Sequence, residues 1–159
     1  MGRIVELNLA EQEICKLVAK LRADNNDKNG IEDKKFRDNI SNFQTHLEGF
    51  GGELAFAKII NVYPDFSIYS RNSVNDNGDL QWNSKSIDVK TTHIPNGRLI
   101  TPYWKVNSKV NIYVLMVGVF PKYEYKGYLY KEEFIIPNRL KNLGYGNTYV
   151  AEQRDLRID

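Results

Sequence analysis

The stretch Ser86-Ile87-Asp88-Val89-Lys90-Thr91-Thr92 alternates polar and apolar side chains around Ile87 and Val89. A period of two is the signature of a strand with one face turned to a core. Val89 then faces that core, while Asp88 and Lys90 share the other face, about 7 Å apart along the strand. Upstream, residues 43–61 predict the strongest helix, with an apolar face of Leu47, Phe50, Leu54, Ala57, Ile59 and Ile60, ended by Pro64. Downstream, residues 111–120 run almost without a polar interruption from Ile112 to Val119, as expected of a central strand covered on both faces. Residues 125–130 follow closely enough to pair with it antiparallel.

The remaining chain adds elements on either side. Asn8 and Glu11 have capping-box spacing, and Ile14, Leu17, Val18 and Leu21 give residues 9–23 helical periodicity. The polar run 24–30 reads as a loop, and a further helical stretch begins near Asp33. Residues 66–69 and 87–92 read as short strands, 131–134 as the start of a short terminal helix, and 144–150 as a weak edge strand. Asn77-Gly78, Pro95-Asn96-Gly97 and Pro121-Lys122 punctuate them. Helices first and a sheet after them predict one α+β or α/β domain over residues 1–159, with a central mixed sheet flanked by helices. A chain of 159 residues buries one substantial core.

Composition excludes several classes. One cysteine, Cys15, forms no internal disulfide and reads as a buried structural thiol. No run approaches the apolar length of a membrane span, and the N-terminus lacks a signal-peptide core, so a soluble, cytoplasmic protein is expected. The net charge of +2 is mild but unevenly spread. Residues 41–80 carry Glu48, Glu53, Asp65, Asp76 and Asp79 against Lys58 and Arg71. Residues 81–120 carry Lys85, Lys90, Arg98, Lys105 and Lys109 against Asp88 alone. An acidic pocket rimmed by basic strands and loops gives that pattern.

An acid-x-Lys triplet is a poor motif by itself, and four occur: Glu32/Lys34, Asp33/Lys35, Asp88/Lys90 and Glu124/Lys126. The first two sit in a charged run without strand flanks and read as a solvated face. Glu124/Lys126 falls in a hairpin, where alternating tyrosine and charge is ordinary strand decoration. Asp88/Lys90 differs because Asp79, behind Gly78, and the helical Glu53 can join it. Magnesium takes oxygen ligands in an octahedron and keeps several waters, so Asp79, Asp88 and the Val89 backbone carbonyl suffice to hold it, with Glu53 as a further ligand or a water-positioning group. Manganese substitutes for magnesium in such a set. Lys90 is then a compact charge facing a phosphate or the attacking water. The same residues also have a bland reading, in which Asp88 and Lys90 form a surface ion pair and Glu53 is a helix-surface acid paired with Lys58 or another base. His46 and His93 are too few for a histidine-rich zinc site.

These residues resemble the PD-(D/E)XK nuclease superfamily over residues 43–130, and the glycine-then-Glu-Leu-Ala-Phe-Ala helix of residues 49–58 looks like its small phage-type or resolvase-like members. The resemblance implies a restriction-endonuclease-like core of a helix, a three-strand meander, a helix and a further strand. Asp79 corresponds to the family's acidic strand residue, Asp88-Val89-Lys90 to its acid-x-Lys strand, and Glu53 to its helical glutamate. Gly78 stands where the motif has proline. The activity implied is a magnesium-dependent deoxyribonuclease, an endonuclease in a bacterial or phage-infected cell, with a homodimer as an open alternative. Lys85 and Arg98, and less directly Lys105 and Lys109, are candidates to meet the DNA backbone, while Tyr103 and Trp104 are expected to serve the sheet core. The rival is a catalytically inactive nuclease-fold module that binds DNA or another partner. DNA against RNA, strand polarity and structure selectivity are not fixed by these residues.

Overall fold

The computed structural model describes residues 3–28, 41–68 and 78–159. Asn8 N donates to Glu11 Oε1 at 2.8 Å and Glu11 N donates to Asn8 Oδ1 at 2.9 Å, the expected capping box opening α1 (Leu9–Lys28). The helix continues through the polar residues read as a loop, at least to Lys28. Its buried face also differs from expectation: Cys15, Val18, Ala19 and Ala23 are buried, whereas Ile14, Leu17 and Leu21 stay exposed. Small side chains let α1 lie close against α2 (Asn42–Ile60), which Ser41 caps through Gln44 N and which ends on Asn61 in a left-handed conformation. The helical start near Asp33 and the triplets at residues 32–35 lie outside the described residues.

Five strands form the larger sheet in the order β1-β6-β5-β3-β2, from β1 (Arg3–Glu6), β2 (Leu80–Trp82), β3 (Lys85–Thr92), β5 (Ile112–Val119) and β6 (Lys122–Tyr130). β3 and β5 are parallel and the other pairs antiparallel, so the sheet is mixed. On β5, Ile112, Val114 and Met116 pack against α1 and α2, and Tyr113, Leu115 and Val117 pack the other way. Each such buried aliphatic side chain contributes about 1.5–3 kcal/mol. This strand is central and doubly covered, as its composition predicts.

The second face is covered by something the sequence pattern did not announce. β4 (Leu99–Pro102), β7 (Leu140–Asn142) and β8 (Asn147–Ala151) form a three-stranded antiparallel sheet with β8 in its middle. Leu99, Tyr149 and Ala151 meet Tyr113, Leu115 and Leu129 there. The expected edge strand at 144–150 is therefore a central one, and the long helices α1 and α2 flank only one face of the larger sheet. α3 (Lys131–Phe134) is four residues long and internal rather than terminal; it lends Phe134 to this core, edge-on to Tyr113. Residues 66–68 form no strand, although Phe66 packs on Phe50; Tyr69 lies outside the described residues. No helix among the described residues is long and apolar enough to cross a membrane.

Candidate active site

A glycine pair sets the distance between α2 and the sheet. A Cβ on Gly51 would collide with Tyr123 and Phe120, and one on Gly52 with the Thr91 side chain. Helix backbone thus rests directly on β3 and β6, and the next residue, Glu53, is carried to the β3 edge. Lys58, its bland partner by sequence, pairs instead with Glu11 at 2.8 Å. Glu53 is met by Arg22 from α1 at 3.8 Å. Arg22 also stacks on Phe50 and donates to the carbonyls of Asp65 and Ser67 at 2.9 and 3.1 Å.

Asp79 takes the place of a missing strand partner. β2 begins at Leu80, opposite Ile87. Asp79 N donates to Ile87 O at 2.7 Å, and its Oδ2 accepts from Val89 N at 2.7 Å. Within a strand the N–H and C=O of one residue point to the same edge, so the Val89 carbonyl is aimed past the end of β2 beside that carboxylate. Gly78 adopts φ +76, and a Cβ there would stand 2.6 Å from the Ile87 carbonyl. Proline, fixed near φ −65, has no access to this turn, which accounts for glycine at that position.

Asp88 is buried, and its Oδ2 lies 3.0 Å from Lys90 Nζ. The Lys90 ammonium is its charged partner on the same strand face. Burial pushes the Asp79 carboxyl well above the usual range, and Glu53 and Asp88 push it further. Asp79 and Asp88 are close enough to act on each other, which raises Asp79 and lowers Asp88. Burial also works against the Asp88 charge, but Lys90, the Asp79 carboxyl and Lys105 outweigh it and hold its pKa low. The Lys90 pKa is raised because Asp88 and Asp79 outweigh the burial that opposes its charge. Burial lifts Glu53 to about 7, with Asp88 and Asp65 adding and Arg22 and Lys90 opposing. Glu53, Asp79, Asp88 and Lys90 are therefore brought within electrostatic reach of one another.

Among the described residues no three His, Cys, Asp or Glu side chains already stand at metal-coordinating spacing. The donor set that would fit a hard divalent cation is narrower: the Asp79 and Asp88 carboxylates and the Val89 carbonyl. A cation there would relieve the mutual repulsion of the two crowded carboxylates.

The candidate phosphate contacts are dispersed. Lys105, in the 3-10 turn Tyr103–Asn107, acts on Asp88 and lies over the Trp104 ring. Tyr103 and Trp104 are about half exposed rather than core residues. Lys85 is drawn away over Tyr130 at 5.1 Å, and Lys109 is exposed in the loop before β5. Arg98 lines a cleft of about 790 Å³ that begins at Lys90 and includes Thr92 and His93. Glu124 and Lys126 form a local ion pair on β6 at 2.9 Å. Arg22 was missed by the sequence reading, although it continues the Cys15-Val18-Ala19 stripe at helical spacing, where a charged residue marks a buried ion pair. No protein-family model, curated protein or solved structure matches this chain.

Proposed function

We propose that this chain is a magnesium-dependent deoxyribonuclease, an endonuclease built on a restriction-endonuclease-like core. The observation that carries the reading is the meeting of Asp79, Asp88 and Lys90 on β3 beside the Leu80 end of β2, with Glu53 delivered to them by the Gly51-Gly52 contact. The arrangement departs from the expected core in that, among the described residues, no third meander strand joins β2 and β3 in their sheet and no helix of the larger layer lies between β3 and β5. After the β2–β3 hairpin the chain leaves for β4 in the second sheet and returns through a five-residue 3-10 turn as β5.

Magnesium, when bound, lowers the pKa of a coordinated water and polarises the phosphodiester, and manganese substitutes for it. Asp79, Asp88 and the Val89 carbonyl hold the ion. Lys90 presents its ammonium to the phosphate and stabilises the negative charge that develops there. Glu53, poised near neutrality and held by Arg22, positions the attacking water and accepts its proton at the carboxylate.

The test is cleavage of supercoiled plasmid, linear duplex, single strand and four-way junction with magnesium, manganese or EDTA, comparing the parent with Lys90→Ala. Metal-dependent cutting that is lost in the variant is expected. A parent that cuts nothing while both proteins bind DNA equally would favour the non-catalytic module. Magnesium binding by Asp79→Ala and Asp88→Ala equal to that of the parent would overturn the ligand assignment.

A further inference from the structure

The cleft beside Lys90 is separate from the acids, since Val89 and Lys90 are the only members of the proposed site that border it. At about 790 Å³ it falls within the range that encloses a small organic ligand. One wall is α2, through Thr45 and Glu48, and the other is the turn after β3 with Arg98. That turn is held firmly: Gln153 Nε2 donates to the carbonyls of Pro95 and Gly97, each at 2.9 Å. Arg98 faces Glu152 at 4.0 Å with both side chains partly exposed, an ion pair weak enough for a phosphate to displace.

Tyr145 completes the cleft. It stands between Gly144 and Gly146, both at positive φ and both with open space where a Cβ would be, and it is 48% exposed. A phenol ring carried on a Gly-Tyr-Gly tip, over a cleft that ends on a lysine, offers a flat apolar surface next to positive charge. Nucleic-acid bases stack on such surfaces whatever their identity. Lys90 and Arg98 are offset by Glu48 and Glu152 along the lining, so the cleft is not a general polyanion trap.

We propose that this cleft binds one unpaired nucleotide of a DNA strand, its base stacked on Tyr145 and its phosphate between Arg98 and Lys90. The proposal rests on the nuclease reading for the direction in which the strand enters, but not for the binding itself. A base inside a duplex is covered on both faces and cannot use Tyr145. The substrate class is therefore DNA with an unpaired stretch: a single strand, a flap or a branched end.

Fluorescence anisotropy with a labelled short oligothymidylate in EDTA tests the binding without cleavage. Tyr145→Ala is expected to weaken it by roughly five- to a hundred-fold, Tyr145→Phe to preserve it, and duplex affinity to stay unchanged in both. One abasic residue in the oligonucleotide should weaken binding to the parent by a similar factor at its most sensitive position, and leave Tyr145→Ala unaffected at every position. Glu152→Gln should tighten binding. Unchanged single-strand affinity in Tyr145→Ala, or an equal loss on duplex, would overturn the proposal. Cleavage with magnesium is scored separately: Tyr145-dependent binding by a protein that cuts nothing removes the nuclease and leaves the nucleotide site standing, whereas cutting with no effect of Tyr145→Ala does the reverse.

Discussion

Buried acids held at raised pKa make the metal-free protein more stable in mild acid than in mild base, and the size of the effect follows from Glu53. Its pKa rises from 4.5 to about 7, with burial the largest cause. A carboxyl whose pKa is raised on folding adds stability while it is protonated, fully below its unfolded pKa, and loses it as pH climbs through the folded value. At 1.36 kcal/mol for each pH unit the full contribution is about 3 kcal/mol, most of which is lost between pH 5 and pH 8. Asp79, also raised, adds loss in the same direction. Asp88 is lowered, so its contribution is present above the unfolded carboxylate pKa and disappears only below about pH 4, outside this interval. For a chain of this length each kcal/mol moves Tm by about 2–4 °C. Thermal melts in EDTA should therefore show Tm falling by roughly 5–10 °C or more from pH 5 to pH 8. Glu53→Gln should flatten that slope, and magnesium at pH 8 should restore much of the loss. A flat profile in the parent, or a parent-like slope in Glu53→Gln, would refute the reasoning.

Three further outcomes are expected. Asp79→Asn should melt higher than the parent in EDTA at pH 8, because a buried, repelled charge is gone, yet give no magnesium signal in titration calorimetry; loss of both stability and binding would contradict this. Gly52→Ala gains about 1 kcal/mol of helix propensity but meets the Thr91 side chain, an overpacking cost of about 1–3 kcal/mol, so urea unfolding should show no net gain and usually a loss. Adding Thr91→Ala should recover the difference, since it clears the collision and removes a buried hydroxyl that has no hydrogen-bond partner; strictly additive effects would argue against the contact. In DNA-binding assays across salt concentrations, Lys105→Ala and Arg98→Ala should each reduce the salt slope by about one, whereas Lys85→Ala, whose ammonium is turned onto Tyr130, should not.

What the sequence revealed and what it hid follow from the range of the interactions involved. The capping box, the helix over residues 43–61 and the doubly covered strand are local patterns, and each stands where its periodicity puts it. The common face of Asp88 and Lys90 was legible because side chains alternate on β3. The second sheet was not legible. β4 and β7 are four and three residues long, too short for a periodic signal, and they are stabilised by pairing with β8 rather than by their own composition. The exposed Ile14, Leu17 and Leu21 misled for a related reason: spacing identifies an apolar stripe, but here α2 selected the neighbouring stripe of small residues. Arg22 was invisible because its partners, Glu53, Phe50 and the carbonyls of Asp65 and Ser67, are all distant in sequence.

The position of the site follows from where the second layer ends. Tyr113, Leu115 and Val117 of β5 point the same way as Asp88, Lys90 and Thr92 of β3, their register partners. The three from β5 enter the second core, but no β3 side chain does. β3 lies at the margin of the covering sheet, where Asp88 is still buried but is matched by Lys90, so its charge is tolerated there, while Ile87 and Val89 on the reverse anchor the strand to the helices. β2 then stops at Leu80, which leaves the Asp79 carboxylate to meet the backbone edge at Val89, and α2 is drawn in by its glycines until Glu53 reaches that edge from the helical side. One boundary thus gathers side chains from both faces of the sheet and a carbonyl from its plane. If that boundary makes the site, filling it should silence it. Thr92→Leu, on the same face and in the lining of the cleft, should leave Tm within a few degrees of the parent but weaken single-strand binding and cleavage together. A variant that binds and cuts like the parent would show that the boundary is not where the substrate lies.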